Sequence, residues 1–573
     1  ALDLAQPWRL LDDTTIDWPS PAAWTHALRA SHWVAEPACD AIADASRPLV
    51  LDGGLLYLRR YREYERRLAA GLRRLAAAPA QDVDADALAV LFAALFAERE
   101  GNDDQARAAA VALQQPLLLV TGGPGTGKTT TIARVLLLLI AQRRARFGAT
   151  SHWAVENRDS GFSSAHGASP LRIALAAPTG RAAEGMASRL RVIAAQLREV
   201  PGVDAALCAA LPTAASTLHR LLGTIPDSPR FRHDAANPLP FDVVVVDEAS
   251  MVDLPLMCKL VEAVPDGARL ILLGDRDQLP SVEAGDVLAA IGDAMGVDAP
   301  LPASLPAHAP DTSLRGHRVH LRRGYRQSPA LDLAPLSDAV RDGDGERALD
   351  LLRDGALAGV QFHDALTDPL RGPTRDALLA PWRALQACDD PSAALCVANR
   401  VRLLTALRDG PQGARQLNAR IEEALAGVQR SAYFHGRLLL ISENSPRHGL
   451  FNGDIGVCLR DGDGTLAWFA GDRGSDGGDD DRAAPRRFHP SALPAHDGAF
   501  AMTVHKAQGS EFDAVWLLLP ARDARTLSRE LVYTALTRAR DAVHLCASAD
   551  VLRAALSRHA QRVSGLAARL AGG

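Results

Sequence analysis

The sequence predicts an α/β protein with parallel sheets, and three observations support this fold class. Short apolar runs recur along the chain with helical stretches between them, an alternation typical of parallel sheets covered by helices. One run, DVVVVD at 242–247, holds four consecutive valines, which indicates a strand buried on both faces. A glycine-rich loop, GGPGTGKTT at 122–130, lies between an apolar run and a helical stretch.

Residues 1–105 come first and are predicted to form a helical N-terminal domain. Apolar residues recur there at helical spacing, most clearly in LAVLFAALFAERE. The arginine-rich amphipathic segment LYLRRYREYERRLAAGLRRL has two open interpretations, a solvated helix face or a face that docks a partner.

The first α/β block is predicted at 106–316, and the second at 317–430 and 499–573. Strands of the first block are expected at 117–121, 171–178, 242–247 and 269–275, with surface loops at 149–170 and 296–316. The second block is expected to begin with HRVHL (317–321) and to include strands at AALCVAN (393–399) and AVWLLLP (514–520). Residues 431–498, with a turn at FNGD (451–454) and an acidic, glycine-rich loop at 471–487, predict a small β insertion.

Composition restricts the class of protein. The net charge is −5 over 573 residues, so any nucleic-acid path must be a local basic stripe. The seven cysteines form no CxxC pair, which favours a reducing compartment over a metal knuckle or a disulfide framework. The longest apolar run is too short to span a bilayer, and the first residues, ALDLAQPWRL, lack the pattern of a signal peptide. We therefore expect a cytoplasmic protein that does not bind membranes.

The glycine-rich loop fits the pattern G-x-x-x-x-G-K-[ST], which binds nucleotide phosphates. Its glycines allow backbone N–H groups to point at phosphate oxygens, and the following helix directs its positive end to the same place. Lys128 would reach the β and γ phosphates of ATP, and Thr129 would hold Mg²⁺. The expected nucleotide contacts are Gly122, Gly123, Pro124, Gly125, Thr126, Gly127, Lys128, Thr129 and Thr130.

Two further strand ends carry residues suited to phosphoryl chemistry. Asp247 and Glu248 follow the four valines; Asp247 would hold Mg²⁺, and Glu248 would accept a proton from the attacking water. Gln278 follows the apolar run ILLGD, where it would sense the γ-phosphate or orient the water. The ordinary alternative for Asp247 and Glu248 is an exposed acidic pair at a strand end, and the phosphate loop upstream argues against it. For Gln278 the alternative is an unpaired glutamine on a loop.

The order of these motifs resembles that of superfamily-1 helicases. The fine pattern is similar to the RecD family, the alpha subunits of exodeoxyribonuclease V (the RecBCD complex). The motifs that carry the resemblance are GGPGTGKTT, AAPTGRAA, STLHRLLG, VVVVDEASMVD, ILLGDRDQLPSV, LRRGYRQ, FNGDIG, AMTVHKAQGSEFD and ELVYTALTRAR. The resemblance implies two RecA-like P-loop lobes, with the 431–498 insertion as a small SH3-like β-barrel in the second lobe.

The resemblance also implies roles for individual residues. Gln105 would read the adenine of ATP, and Arg326 and Arg538 would be the two arginines that the second lobe presents to the γ-phosphate. Gln508, Gly509 and Glu511 would line the cleft between the lobes. Contacts with DNA are implied for Thr179, Arg181, Thr217, His219, His505 and Lys506. Phe451 and Trp516 are interpreted as core residues rather than as stacking platforms for bases.

The function that the resemblance implies is that of an ATP-dependent 5′-to-3′ DNA helicase in double-strand break repair and homologous recombination. Its expected partners are single-stranded DNA and duplex ends, together with RecB-like and RecC-like subunits in a heterotrimer. Two alternatives stay open: a stand-alone RecD-like helicase, and an ATP-binding structural or regulatory subunit of a nuclease complex. The three lysines are preceded two places earlier by Thr126, Met257 and Val504, so no (D/E)-x-K nuclease signature is present.

Overall fold

The computed structural model describes residues 1–7, 16–38, 41–79, 83–96, 103–151, 170–296, 314–324, 330–445, 447–462, 464–471, 484–560 and 562–571. The predicted surface loops at 149–170 and 296–316 lie almost entirely outside these residues, and so does most of the acidic loop at 471–487.

The N-terminal region is mixed rather than helical. Its described elements are β1 (Leu2–Asp3), α1 (Pro21–Arg29), β2 (Val34–Ala35), β3 (Leu49–Asp52), β4 (Leu55–Leu58), α2 (Arg59–Ala76) and α3 (Ala85–Phe96). The strands form a sheet in the order β1-β4-β3-β2, so the prediction of a helical domain is wrong before α2. The reason is a hairpin: β3 and β4 pair antiparallel across Gly53 and Gly54, whose φ angles of 58° and 79° suit a two-residue hairpin turn.

The first lobe contains a parallel sheet in the order β10-β5-β9-β8-β6-β7. Its elements are α4 (Asp103–Gln114), β5 (Leu117–Gly122), α5 (Lys128–Ser151), β6 (Ile173–Ala177), α6 (Gly180–Arg198), α7 (Ala205–Ala209), β7 (Ser216–Thr217), α8 (Leu218–Leu222), β8 (Val243–Val246), a 3-10 turn (Ala249–Met251), α9 (Leu254–Ala263), β9 (Arg269–Gly274), α10 (Val287–Met295) and β10 (Arg318–Leu321). Every residue of β5, β8 and β9 is buried, which confirms the prediction of strands covered on both faces.

The predicted boundary between the lobes at 316/317 is wrong. Strand β10 pairs in parallel with β5 in the first sheet, with Val319 opposite Val120. Both of these valines are fully buried, so the pairing completes the core of the first lobe. The first lobe therefore extends through Leu321.

The second lobe begins with α11 and carries helices around a parallel sheet. Its first elements are α11 (Ala334–Asp342), α12 (Gly345–Asp354), β11 (Val360–Asp364), α13 (Thr374–Leu385), α14 (Pro391–Ala398), β12 (Val401–Thr405) and α15 (Ala414–Ala426). The predicted strand at 393–399 is wrong, because these residues lie mainly in α14. The Asp390 carboxylate caps that helix by accepting from the Ala393 amide at 2.7 Å, and Pro391 occupies its first turn.

The predicted β insertion is present between α15 and the next strand of the second lobe. It consists of β13 (Leu438–Ile441), β14 (Ile455–Asp461), β15 (Gly464–Phe469), β16 (Arg486–Phe488), a 3-10 turn (Pro490–Ala492) and β17 (His496–Gly498). These strands pair antiparallel in the order β16-β15-β14-β13-β17. The predicted turn at FNGD is confirmed, since the Phe451 amide donates to the Asp454 carboxylate at 2.7 Å.

The chain then completes the second lobe and returns to the first. The remaining elements are β18 (Ala501–Thr503), a 3-10 turn (Val504–Ala507), β19 (Phe512–Leu518), α16 (Arg529–Leu536), β20 (Ala539–Ala547), α17 (Ala549–Ser557) and α18 (Leu566–Ala571). The second parallel sheet has the order β11-β20-β19-β12-β18. Helix α18 buries Leu566 and Leu570 in the core of the first lobe, so the prediction that the second lobe runs to residue 573 is wrong for this helix.

Helix α2 fastens the N-terminal region to the first lobe. Its buried residues Leu68, Leu72 and Leu75 recur at helical spacing and belong to the same core as α9. Arg67 also pairs with Glu262 of α9. Part of the arginine-rich face therefore contacts the first lobe of the same chain instead of solvent.

Candidate functional site

The phosphate loop joins β5 to α5, as the sequence predicted. Gly125 and Gly127 have φ angles of 75° and 83°, a backbone region that only glycine enters without strain. A Cβ at Gly122 would lie 2.8 Å from the carbonyl oxygen of Leu321, so a larger residue has no room there. The Lys128 ammonium donates to the carbonyl oxygens of Gly122 (2.7 Å) and Gly123 (2.9 Å), and the loop is thereby closed over the start of α5.

Most of the predicted nucleotide residues, from both lobes, converge on one cavity of about 590 Å³, whose lining does not include Gly122, Gly123, Thr126 or Gln508. Because the strands of the first sheet are parallel, β5, β8 and β9 end at the same edge, and each is followed by a residue of this cavity. The lining residues are Pro124, Gly125, Gly127, Lys128, Thr129, Thr130, Ser188, Arg189, Val192, Ile193, Gln196, Asp247, Glu248, Gln278, Gly509, Glu511 and Arg538. The last three belong to the second lobe, so the cavity lies between the lobes.

Asp247 and Glu248 lie side by side at the end of β8. Glu248 has a φ of 52°, an uncommon backbone conformation for a non-glycine residue, and the Asp247 carboxylate accepts from its amide at 2.9 Å. Burial, followed by the charge of Asp247, raises the pKa of Glu248, and Arg538, Lys128 and Arg189 oppose that shift. A carboxyl whose pKa is raised in this way is a better proton acceptor than an ordinary surface glutamate.

Arg538 reaches the cavity from the second lobe, just beyond the end of α16. Its side chain is buried, and its Nε donates to the carbonyl oxygen of Thr534 at 3.1 Å. Its Nη1 donates to the Ser510 carbonyl at 3.4 Å. These bonds hold a guanidinium at the wall of the cavity that the phosphate loop also lines. Arg326, the other predicted arginine, lies outside the described residues.

Gln278 and the predicted cleft residues lie at the contact between the lobes. The Gln278 amide donates to Asp275 at 3.2 Å, and Gln508 donates across the contact to the carbonyl oxygen of Leu279 at 3.0 Å. Gly509 packs against the first lobe, because a Cβ there would lie 3.4 Å from the Cβ of Ala182. Glu511 lines the cavity and pairs with Arg540.

Gln105 is buried beside the phosphate loop but is not among the residues that line the cavity. Its Nε2 donates to the carbonyl oxygen of Thr126 at 3.4 Å, and its Oε1 accepts from Arg134 at 2.8 Å. A second cavity of about 180 Å³ lies on another side of the loop, lined by Gly123 and Thr126 together with Leu321 and Tyr533, among others.

A groove of about 390 Å³ runs between α6, β7 and the insertion. Of the residues predicted to contact DNA, Arg181 and Thr217 line it. Arg181 bridges the two lobes, donating to the Gly453 carbonyl at 3.5 Å and to the Asn399 side chain at 3.3 Å. Burial lowers the pKa of this arginine. Phe451, interpreted from the sequence as core, also lines the groove, whereas Trp516 is buried as predicted.

The other predicted DNA contacts lie outside the lining of this groove. The Thr179 hydroxyl caps α6 by accepting from Ala182 at 3.2 Å, and the His219 ring lies 5.8 Å from the ring of Phe231. Lys506 pairs with Asp497 at 3.3 Å. Burial, followed by the charge of Arg562, lowers the pKa of His505.

Several residues of both sites were not predicted from the sequence. Arg189 lines the nucleotide cavity from α6 and lies 3.5 Å from the Asp247 carboxylate. Arg191, Arg220 and Arg486 supply further positive charge to the groove. The spacing of Arg189 and Arg191 from Arg181 along one helix is the only signal for these two, and it is not specific. Arg220 lies inside the motif STLHRLLG, from which Thr217 and His219 were predicted instead.

Within the ranges given above, no helix is both long and apolar enough to cross a membrane. The same residues contain no group of three or more His, Cys, Asp or Glu side chains arranged to hold a metal ion.

Comparison with known proteins agrees with this arrangement. Residues 105–284 match the AAA domain family, and residues 498–546 match the UvrD-like helicase C-terminal domain family. The RecBCD enzyme subunit RecD of Mycobacterium tuberculosis is 39% identical over 99% of this chain and 88% of its own length. RecD of Haemophilus influenzae is 33% identical over 82% of this chain and 72% of its own length. The ATP-dependent RecD2 DNA helicase of Deinococcus radiodurans is 30% identical over 88% of this chain and 57% of its own length. The chain therefore belongs to the RecD family of ATP-dependent DNA helicases.

Proposed function

We propose that the chain is the 5′-to-3′ motor subunit of a RecBCD-type helicase–nuclease that processes duplex ends in double-strand break repair and homologous recombination. The observation that carries the proposal is the nucleotide cavity, where Lys128 and Glu248 of the first lobe face Arg538 of the second. The names of the relatives support assembly with RecB-like and RecC-like subunits. The polarity rests on the resemblance described above. We place its activity in the cytoplasm.

The charged groups around the cavity would promote the hydrolysis of ATP. The phosphate loop and Lys128 would bind the phosphates, and Glu248 would accept the proton of the attacking water. The γ-phosphoryl group spreads negative charge over its oxygens during transfer, and an arginine supplied from across a cleft stabilises that charge. Because Arg538 belongs to the other lobe, fast hydrolysis requires the lobes to be closed.

The residues that would hold Mg²⁺ are Thr129 and Asp247. Both line the nucleotide cavity, and the Asp247 carboxylate lies close enough to Arg189 to be balanced by a cation even without a metal. Bound Mg²⁺ would neutralise charge on the β and γ phosphates. The set of one hydroxyl and one carboxylate is the one that phosphate-loop ATPases use for this ion.

Movement on DNA would follow from the groove. It is lined by α6 and β7 of the first lobe and by the insertion of the second, so opening and closing would change its shape. Arg181, Arg191 and Arg220 offer charge for a sequence-independent grip on phosphates, and Phe451 offers a ring on which a base would stack. A strand held alternately by each lobe would advance with each ATP.

The finer architecture also belongs to the proposal. The five antiparallel strands of the insertion would close as an SH3-like barrel, and the N-terminal region would dock a partner subunit. The alternative of a purely structural ATP-binding subunit is disfavoured, because Glu248, Gln278 and Arg538 all line one cavity. We expect no nuclease activity from this chain.

Unwinding assays with tailed duplexes test the proposal. The purified chain is given two duplexes of the same sequence, one with a 5′ single-stranded tail and one with a 3′ tail, with and without ATP. We expect ATP-dependent unwinding of the 5′-tailed duplex alone, and preference for the 3′ tail would overturn the polarity. Co-expression with the RecB-like and RecC-like chains of the same genome should yield a heterotrimer, and failure to co-purify would favour a stand-alone helicase.

A further inference from the structure

We propose that Thr534 is a positioning residue that aligns the loop carrying Gln278 in the first lobe with Arg538 in the second. The inference rests on the roles proposed above for Gln278 and Arg538. Thr534 touches neither the nucleotide cavity nor the groove, and it is fully buried in α16. Its effect on hydrolysis would therefore be exerted entirely through these two residues.

The second lobe holds the Gln278 loop through the two peptide groups that flank Leu279. The Leu279 amide donates to the Thr534 hydroxyl at 2.8 Å, and the Leu279 carbonyl accepts from the Gln508 side chain at 3.0 Å. Leu279 follows Gln278 directly, so these bonds fix the backbone from which the Gln278 side chain enters the cavity. Both bonds are buried and cross between the lobes, so lobe separation would break them.

The backbone carbonyl of Thr534 holds Arg538. Its oxygen accepts from Arg538 Nε at 3.1 Å, one helical turn further along. The hydroxyl of Thr534 thus locates the Gln278 loop, and its carbonyl orients Arg538. Thr534 therefore sets the distance between Gln278 of the first lobe and Arg538 of the second, which line the same cavity.

The neighbouring residue strengthens the same contact. The Tyr533 hydroxyl donates to Asp275 at 3.1 Å, and the same carboxylate oxygen accepts from Gln278 at 3.2 Å. Burial and the charge of Asp275 raise the pKa of Tyr533 well above its ordinary value, so the hydroxyl stays a donor. A Cβ at Gly123 of the phosphate loop would lie 3.1 Å from that hydroxyl. Helix α16 therefore contacts the Gln278 loop and the phosphate loop at once.

The test substitutes Thr534 in two ways. Thr534→Val keeps the shape but removes the acceptor, and it leaves the Leu279 amide buried without a partner. Thr534→Ser keeps the hydroxyl. We expect Thr534→Val to lower the kcat of DNA-stimulated ATP hydrolysis about tenfold, with the KM for ATP changed less than twofold. Thr534→Ser should restore most of the rate.

Thr405→Val is the matched control, because it removes a buried hydroxyl that bonds to the Gln412 carbonyl inside the second lobe, away from both sites. It should lower thermal stability by a similar amount and leave kcat unchanged. If Thr534→Val turns over ATP like the wild type, or if Thr405→Val loses as much rate, the positioning role is overturned.

A double-mutant cycle separates the inference from the proposed function. In a Gln278→Ala background, Thr534→Val should slow hydrolysis no further. Valine keeps the backbone carbonyl that orients Arg538 and removes only the hydroxyl, which acts through the Gln278 loop. Additive losses would overturn the inference while leaving the motor function intact. A wild-type chain without DNA-stimulated ATPase activity would instead contradict the proposed function.

Discussion

The nucleotide cavity and the groove beside it differ in how much of each follows from local sequence. In the cavity, residues named from motifs come together: Lys128, Asp247, Glu248 and Gln278 of the first lobe meet Arg538 of the second. In the groove, only Arg181 and Thr217 of the predicted contacts are present, and Arg191, Arg220, Phe451 and Arg486 were not predicted as DNA contacts.

The difference has a chemical origin. A triphosphate demands a fixed backbone loop, a metal-binding hydroxyl and a carboxylate at short range, so its site leaves contiguous motifs at strand ends. A sequence-independent grip on DNA needs only positive charge and an open surface, which arginines from many positions can supply. Loss of single residues should therefore be severe in the cavity and mild in the groove.

The largest effect is expected from Lys128→Gln. The substitution removes the positive charge that would bind the β and γ phosphates. It replaces the ammonium, which donates to the carbonyl oxygens of Gly122 and Gly123, with a shorter uncharged amide that is still a donor. We expect ATPase and unwinding activities to fall by about 10³-fold or more, with an unchanged melting temperature. Steady-state phosphate release on single-stranded DNA measures the loss, and normal turnover would refute the assignment of the cavity.

Arg538→Lys should have the next largest effect. Lysine keeps the charge but cannot reproduce the paired contacts of a guanidinium with Thr534, Ser510 and a phosphoryl group. We expect kcat to fall by about 10²- to 10³-fold, with a small change in the KM for ATP. The control is Arg558→Lys, a half-buried arginine of the same lobe that pairs with Asp523 and donates to the backbone carbonyl of Leu527. A similar loss in both variants would show that Arg538 acts only on stability.

The same contrast between local signals and distant contacts determines which parts of the fold were predictable from the sequence. Buried strands such as VVVV at 243–246 were predictable because four β-branched residues in succession leave few other structures. The strand HRVHL was also found, but its sheet was not, because pairing with β5 is a contact between distant segments. The hairpin has a local signal in the Gly53–Gly54 pair. The prediction of a helical domain rested on the spacing of apolar residues, which does not include that signal. Helix α18, which returns to the first lobe, has no local signal at all.

A smaller effect is expected in the groove from Arg191→Gln. Arg191 lines the groove on α6, and loss of one phosphate contact should weaken binding of single-stranded DNA only a fewfold. It should also reduce the slope of log affinity against log salt by about 0.7, the value for one phosphate of a single strand. Fluorescence anisotropy at four or five salt concentrations measures this slope. Arg29→Gln, at an ion pair with Glu36 in the N-terminal region, is the control. An unchanged slope for Arg191→Gln would place the DNA elsewhere.

The smallest effect concerns Asp277, on the same loop as Gln278, where it feels the charges of Arg341 and Arg529 of the second lobe. Burial, followed by the charge of Asp275, raises the pKa of Asp277 from 3.8 to about 6. The folded state therefore binds this proton more tightly than the unfolded state, and the contribution to stability is fully present below pH 4 and is lost as the pH rises through 6. At pH 8 the buried charge costs about 2 kcal/mol, the free-energy equivalent of the pKa shift reduced for partial exposure.

Asp277→Asn removes that charge, so it should raise the melting temperature by a few degrees at pH 8 and leave it unchanged at pH 4. Differential scanning calorimetry at both pH values measures the change. Asp376→Asn, at an exposed ion pair with Arg383, is the control and should stabilise at neither pH. If Asp277→Asn destabilises the chain at pH 8, the carboxylate is an ion-pair partner of Arg341 or Arg276 rather than a strained charge, and the contact between the lobes depends on it. If the stabilised variant also hydrolyses ATP more slowly, the charge at this contact helps the lobes to reopen.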